Sequence, residues 1–294
     1  MTHIAPTLSL EQASGPLWDA TVIGAGCAGA VAARELARSG VRVLLVDEAQ
    51  FPRYKVCGCC INRPAQQALE RIGLGDLLKR EGAVTARTFN VRSGGTHANV
   101  RLPEYAVLSR ERLDAALVRA AIEAGAAFVP GAQASLEAVT DGSRSVRLRV
   151  GENYCVVRSR IVIAADGLGG RLLRATDAFE SPSVIASRIG MGAVSVAAPT
   201  DYRPGIIYMA CAASGYVGAC RIEDGRLALA SACDGLFVKS SGGMSCAANA
   251  ILREAGYPSI PDINEISWKG TPALTREATT VSAHRAFVLG DAAG

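Results

Sequence analysis

The residues with the clearest chemical meaning form a glycine-rich segment, GAGCAG, at positions 24–29. This G-x-G-x-x-G pattern follows a short β-rich run at 19–23 and opens a helical pattern. In that context Gly24 permits a tight turn, and Gly26 lets the backbone approach a pyrophosphate. Gly29 allows the helix to pack closely on the strand, while the helix N-terminus offers N–H groups to an anion. The segment therefore predicts a dinucleotide site.

A carboxylate at the end of the next strand narrows the choice of dinucleotide. Asp47 ends the apolar run 41–47, 18 residues beyond Gly29. A carboxylate there accepts hydrogen bonds from ribose hydroxyls and repels a 2′-phosphate, which argues against NADP in this site. The pattern alone does not separate FAD from NAD.

A strand, a helix and a second strand position these residues. The run at 19–23, a helix from 27 to about 39 and the strand 41–47 form a βαβ unit with a right-handed crossover. Buried-strand runs recur at 160–166 and 286–291, so both ends of the chain are expected in one sheet.

The middle of the chain has a different pattern. Strands dominate residues 184–240, and the alternation in GRLALASACD indicates an antiparallel sheet. The predicted fold class is therefore α/β: a Rossmann-like domain with an inserted, mainly antiparallel β domain.

Composition excludes several classes of protein. The 294 residues are 49% hydrophobic and 20% charged, with a net charge of +4 from scattered Lys and Arg, which does not favour nucleic acid. Nine cysteines without regular spacing, and an N-terminus without a signal pattern, predict a cytoplasmic protein. No transmembrane segment is predicted, which leaves peripheral membrane contact and oligomeric state open. The adjacent Cys59 and Cys60 have no second C-x-x-C or His pair, so no metal site is predicted.

Three further segments resemble a known family. IVIAADG (161–167) looks like the segment of flavoprotein hydroxylases whose Asp-Gly pair lies near flavin and pyridine nucleotide. RAFVLGDAAG (285–294) resembles their late Gly-Asp motif, and FPRYKVCG (51–58) is similar to a loop of geranylgeranyl reductases. In this order, the motifs resemble the superfamily of FAD-dependent monooxygenases, geranylgeranyl reductases and halogenases.

The resemblance implies FAD as cofactor and NAD(P)H as a transient electron donor. It assigns Gly24, Gly26 and Gly29 to the diphosphate, Asp47 to the adenosine ribose and Asp291 to the ribityl chain. The other expected cofactor contacts are Cys27, Ala28, Glu48, Arg53, Lys55, Cys57, Gly58, Arg110, Asp166, Gly167 and Gly290. Three alternatives stay open: Arg53 and Lys55 as anion ligands or surface residues, Cys57 as a structural thiol, and Asp166 as a turn residue. No catalytic acid or base is identified.

The patterns of strands and helices along the chain predict a domain division. Residues 1–16 are expected to be a disordered tail. The FAD-binding domain is expected at 17–80, 104–175 and 280–294, and the substrate domain at 81–103 and 176–279.

This sequence departs from the family in three places. The halogenase motif W-x-W-x-I-P is missing, and GYVGACR (215–221) lacks the Trp and Pro of the reductases. The chain ends at Gly294, before the helix start that usually follows, so truncation and an incomplete flavin site are expected.

Three functional hypotheses follow. The first is a monooxygenase-like oxidoreductase acting on an apolar or aromatic small molecule. The second is an ene-reductase acting on polyprenyl chains. The third is a catalytically incomplete FAD-binding fragment.

Overall fold

The computed structural model describes residues 2–170, 172, 187–277 and 280–294. The chain forms two compact units. The first comprises residues 1–53, 111–184 and 275–294, and the second comprises residues 54–110 and 185–274. Both units are therefore assembled from separate stretches of sequence.

Helices and strands alternate early in the chain and give way to strands later. The helices are α1 (Leu10–Ser14), α2 (Cys27–Arg38), α3 (Arg63–Arg71), α4 (Leu77–Arg80), α5 (Arg110–Glu123), α6 (Gly235–Ser240) and α7 (Met244–Glu254). The strands up to the first gap are β1 (Leu17–Ile23), β2 (Val43–Asp47), β3 (Cys60–Ile61), β4 (Val84–Ser93), β5 (Thr96–Val107), β6 (Ala127–Pro130), β7 (Gln133–Val139), β8 (Arg144–Val150) and β9 (Asn153–Ala164). The later strands are β10 (Ile189–Ser195), β11 (Ile206–Ala212), β12 (Gly215–Arg221), β13 (Leu227–Cys233), β14 (Lys269–Ala273), β15 (Ser282–Ala283) and β16 (Ala286–Val288).

The sheet of the first unit has the order β15-β16-β9-β1-β2-β6, with the β7–β8 hairpin attached to β9. Strand β1 pairs in parallel with both β2 and β9, and β16 pairs in parallel with β9. All five residues of β2 are buried, as its apolar sequence predicts. The prediction that both ends of the chain share one sheet is confirmed.

The N-terminal segment is ordered where the sequence predicted a disordered tail. The amides of Ile4 and Thr7 donate to the carbonyls of Phe51 and Phe128 at 3.0 and 2.9 Å. Ser9 caps α1 in a capping box, and the Trp18 indole donates to the last turn of this helix. The segment is ordered because it has backbone hydrogen-bond partners and buries Ile4. These contacts offset the conformational entropy that the segment loses when it becomes ordered.

The sheet of the second unit has the order β14-β10-β13-β12-β11-β4-β5-β3. Its neighbours are antiparallel except for β4 and β11, which are parallel. Helix α7 packs with Ala247, Ile251 and Leu252 in a core that includes Met191 and Leu229 of the sheet. Strands β4 and β5 form one long antiparallel hairpin.

The bounds of the two units differ from the expected domain bounds. Residues 54–80 and 104–110 lie in the second unit, because β3 pairs with Val107 and Ala106 of β5. Residues 173–186, which include the expected domain boundary between residues 175 and 176, lie outside the described residues. The α/β fold class, with one largely parallel and one mainly antiparallel sheet, is confirmed.

Candidate cofactor site

The glycine turn after β1 fits the predicted role of its glycines. The Gly24 amide donates to Val46 at 2.7 Å, which ties the turn to the end of β2. Gly24 has a φ of +101°, and a Cβ there would lie 2.2 Å from the Ala165 carbonyl oxygen. A Cβ on Gly29 would lie 1.8 Å from the Gly24 oxygen. Both positions therefore need glycine for steric reasons.

Helix α2 begins at this turn. Gly26 is its N-cap and supplies no side-chain hydrogen bond. The first-turn N–H groups of a helix have no acceptor within the helix, and its macrodipole favours an anion there. The helix that begins with Cys27 and Ala28 therefore suits a diphosphate.

Asp47 joins the glycine turn to the loop that follows β2. Its Oδ2 accepts from the Ala25 amide at 2.7 Å, and its Oδ1 accepts from the Ala49 amide at 2.8 Å. The side chain is buried, whereas Glu48 beside it is exposed. A carboxylate has about four acceptor positions, so these two bonds leave capacity for ribose hydroxyls.

Arg53 lies between two carboxylates, one of which the sequence analysis missed. Its Nη1 is 3.0 Å from Oδ2 of Asp114 on α5, and its Nη2 is 3.7 Å from Oδ2 of Asp47. The guanidinium also lies over the Phe51 ring, 4.8 Å from its centre. Asp114 is fully buried and accepts from the Cys27 thiol at 3.3 Å. The available signal was an acidic residue inside the apolar stretch of α5.

Two further glycine turns lie against the first one. After β9, Gly167 opens a 3-10 turn with a φ of +71°, and Oδ2 of Asp166 accepts from the Leu172 amide at 3.0 Å. After β16, a Cβ on Gly290 would lie 2.8 Å from the Ala28 side chain. The structure thus brings the turns at Gly24, Asp166 and Gly290 together at the carboxyl ends of three parallel strands, with Asp291 exposed next to them.

Four predicted residues belong to the second unit, and their contact with a cofactor stays a prediction. Lys55 and Cys57 are half-buried and Gly58 is exposed, in the segment before β3. Arg110, the first residue of α5, is half-buried. This segment packs on its own sheet, since a Cβ on Gly192 would lie 2.8 Å from the Tyr54 hydroxyl.

One face of the second sheet has very small side chains. Cross-strand register places Gly192, Ala230, Gly218 and Met209 in one row across β10, β13, β12 and β11. The next row includes Gly190, Ala232, Tyr216 and Cys211. We call these two rows the glycine–alanine face. Met209, Gly218 and Ala230 are only half-buried and Tyr216 is exposed, so the face is apolar and partly open.

Among the described residues, no group of three or more His, Cys, Asp or Glu side chains is arranged to bind a metal ion. No described helix is both long and apolar enough to span a bilayer. All nine cysteines are free thiols.

Comparison with protein families decides the identity of the cofactor. A family model described as an FAD binding domain matches residues 18–294, which is most of the chain. The chain belongs to this FAD-binding domain family. The predicted resemblance to FAD-dependent oxidoreductases is thereby confirmed, and the glycine turn, Asp47 and α2 are parts of an FAD-binding fold.

Relatives of known name match about half of this FAD-binding chain. A menaquinone reductase from Mycolicibacterium smegmatis is 32% identical over 164 residues, covering 53% of the chain and 39% of the relative. A digeranylgeranylglycerophospholipid reductase from Methanopyrus kandleri is 36% identical over 160 residues, covering 53% of the chain and 41% of the relative. The matched region is thus less than half the length of either relative.

Solved structures show the fold over a longer range. A flavin-dependent brominase, Bmp2 in a triple-mutant form, superposes with a TM-score of 0.80 at 17% identity. The superposition covers 94% of this chain and 73% of the brominase. At this sequence identity, the similarity shows the fold of the chain and says nothing about its activity or substrate.

Proposed function

We propose that this chain is an FAD-dependent oxidoreductase that uses NAD(P)H as electron donor and acts on an apolar or aromatic small molecule. The observation that carries the proposal is the set of three turns, at Gly24, Asp166 and Gly290, around the start of α2. In a family defined by FAD binding, these turns are the natural place for the diphosphate and ribityl parts of the cofactor.

The residues present fit FAD on steric and chemical grounds. A Cβ at Gly24 or Gly29 would collide with backbone, so both glycines keep the turn tight beside the start of α2. Asp47 would hold the adenosine ribose, α2 would face the diphosphate and Asp291 would hold the ribityl hydroxyls. Bound FAD supplies a two-electron carrier that accepts hydride from NAD(P)H and passes electrons to O₂ or to an activated double bond.

The chain's own residues would orient the cofactor and exclude water. Arg53 is fixed by Asp114 and Asp47, so it presents a positive charge in a defined position near the helix start. Contacts of Lys55, Cys57, Gly58 and Arg110 with the cofactor remain part of the proposal.

The glycine–alanine face supports an apolar substrate. The half-buried part of this face, formed by Gly218, Ala230 and Met209, offers a small apolar area without a polar side chain. Such a surface suits a planar ring or an extended hydrocarbon, which gains free energy by leaving water.

A reductase acting on polyprenyl chains is the second candidate function. It is favoured by two relatives above 30% identity that are named as reductases, one of menaquinone and one of a digeranylgeranyl lipid. Peripheral contact with a membrane surface and a cytoplasmic location belong to the same proposal.

The test is reduction of the bound flavin. The purified chain is mixed with FAD, desalted, and titrated without oxygen with NADH or NADPH while the flavin absorbance is followed. Co-purification of FAD and bleaching by either nucleotide are the expected results. A chain that retains no FAD, or whose bound flavin neither nucleotide reduces, contradicts the proposal.

Oxygen then separates the two candidates. A monooxygenase-like enzyme consumes O₂ and adds oxygen to an aromatic probe. A reductase saturates a geranylgeranyl double bond with no O₂ uptake, and a mass increase of two hydrogens per reduced bond identifies it.

A further inference from the structure

Two thiols of the second unit meet at one backbone oxygen. The Sγ of Cys60 donates to the Gly58 carbonyl at 3.0 Å, and the Sγ of Cys220 lies 3.4 Å from the same oxygen. The two sulfurs thus share one hydrogen-bond acceptor. This thiol pair has no part in the proposed cofactor chemistry.

The pair is formed by tertiary folding. Cys60 begins β3, whereas Cys220 lies near the end of β12, which is four places away in the order of the sheet. The segment from Tyr54 to Cys59 packs across the sheet face and brings Cys60 to β12. A covalent bond between the two sulfurs would tie this segment to β12.

The two thiols differ in exposure and in acidity. Cys60 is exposed, whereas Cys220 is buried with 2% of its surface accessible. Hydrogen bonding of the Cys220 thiol to the Cys60 sulfur lowers the pKa of Cys60. The same interaction raises the pKa of Cys220, and burial raises it further. Because the thiolate is the reactive form, Cys60 is the thiol that meets an oxidant first.

The neighbouring thiol is less suited to react. The Cys59 side chain is buried and its Sγ lies 3.6 Å from the Cys57 carbonyl oxygen. Burial raises the pKa of Cys59, which keeps it protonated. Adjacency in sequence therefore does not make Cys59 the partner of Cys60.

We propose that Cys60 and Cys220 form a redox-active dithiol that hydrogen peroxide converts to a disulfide. The Cys60 sulfur attacks the peroxide, the O–O bond breaks, and Cys60 becomes a sulfenic acid as one water leaves. The Cys220 sulfur then attacks the Cys60 sulfur and displaces hydroxide, which takes the Cys220 proton as a second water. Two thiols lose two electrons and two protons, and the peroxide is reduced to two waters.

The test maps disulfides in the unsubstituted chain. The reduced protein is treated with hydrogen peroxide, its remaining thiols are alkylated, and the digest is examined by mass spectrometry. We expect a peptide that links Cys60 to Cys220, two fewer alkylated thiols than the nine of the reduced chain, and reversal by dithiothreitol.

Three variants serve as controls. Cys246→Ser removes an exposed thiol on α7 and should leave the cross-link intact. Cys60→Ser and Cys220→Ser should each abolish it, and Cys220→Ser should leave Cys60 open to sulfinic acid formation.

The unsubstituted chain also supplies the contrary outcomes. A disulfide from Cys60 to Cys59 or Cys57 overturns the proposal, as does a Cys60 sulfinic acid with no cross-link. Because these outcomes are read without substitutions, they hold even if a variant fails to fold.

Discussion

At the scale of single residues, two buried carboxylates organise the candidate site. Asp47 accepts hydrogen bonds from the backbone amides of Ala25 and Ala49. Asp114 forms an ion pair with Arg53 and accepts a hydrogen bond from the Cys27 thiol. Both carboxylates are buried, so hydrogen bonds and ion pairs within the protein replace their bonds to water. Removing either one leaves a buried donor or a buried charge without its partner.

A variant of Asp114 tests how much the buried ion pair with Arg53 contributes to stability. We expect Asp114→Ala to lower the free energy of unfolding by about 3–5 kcal/mol, because Arg53 keeps a largely buried charge with one carboxylate removed. Urea denaturation measures the change. The double variant Arg53→Met with Asp114→Leu should recover part of the loss.

A matched control is Glu137→Ala, which breaks an ion pair with Arg147 on the exposed β7–β8 hairpin. Its cost should stay below about 1 kcal/mol. Equal effects of Asp114→Ala and Glu137→Ala would show that the buried ion pair has no special role.

Variants of Asp47 test the proposed role of this residue in FAD binding. We expect Asp47→Ala to weaken FAD binding by roughly 1–3 kcal/mol, the cost of leaving polar partners unpaired. Asp47→Asn, which keeps one oxygen acceptor, should have a smaller effect. Fluorescence titration with FAD measures both, with Asp141→Ala in an exposed turn as control. Unchanged affinity in Asp47→Ala would remove Asp47 from the site.

At the scale of elements, the turn between β1 and α2 depends on shape. A methyl group at Gly29 would meet a carbonyl oxygen at 1.8 Å, and neither partner is a flexible side-chain end. We expect Gly29→Ala to cost about 3 kcal/mol or more in unfolding free energy, because the strand and helix must separate. Gly142→Ala, where no atom lies within 4 Å, should be nearly neutral in the same denaturation experiment.

The tyrosine cluster of the second unit predicts a pH dependence. Burial raises the pKa of Tyr202, whose hydroxyl donates to Pro258 at 2.9 Å beside Tyr208 and Tyr257. Burial also raises the pKa of Tyr257. The folded state therefore holds these protons at a pH where the unfolded chain, with a pKa of about 10, releases them. Stability is complete below about pH 10 and falls as pH rises above it.

Urea midpoints at about pH 8 and about pH 11 check this expectation. Tyr202→Phe should lose about 1 kcal/mol at the lower pH and show a smaller fall at the higher pH. Tyr154→Phe, at an exposed position, should behave like the unsubstituted chain. An equal alkaline fall in the unsubstituted chain and in Tyr202→Phe would contradict the role of Tyr202.

The βαβ unit was predictable because its signals are local. Gly24, Gly29 and Asp47 lie within one short stretch of sequence, and their geometry follows from the βαβ unit that this stretch forms. Asp114 was not predictable in this way, since its partners Arg53 and Cys27 come from distant parts of the chain. The order of the N-terminal segment was missed for the same reason, because its hydrogen-bond partner Phe128 is 121 residues away from Thr7.

At the scale of the whole molecule, FAD should stabilise the chain by mass action. At a free concentration about 100 times Kd, a ligand that binds the folded state alone adds about 2.7 kcal/mol. We expect the Tm to rise by roughly 5 °C or more, since about 2–4 °C accompany each kcal/mol at this size. Thermal denaturation followed by circular dichroism measures the shift.

NADP is the informative comparison in that experiment. Asp47 should repel its 2′-phosphate from this site, so NADP at the same concentration should raise the Tm by much less than FAD does. An equal shift with FAD and NADP would contradict the assignment of the site.

The parallel pairing of β16 with β9 also has a consequence for synthesis on the ribosome. About 120 residues separate Ala164 from Ala286, and they include most of the second unit. At about 5–20 residues per second, roughly 6–24 seconds pass between translation of the two strands. During that time the edge of β9 at Val162, Ile163 and Ala164 lacks its neighbour. The nascent chain therefore presents an apolar strand edge that chaperones can bind until β16 emerges and closes it.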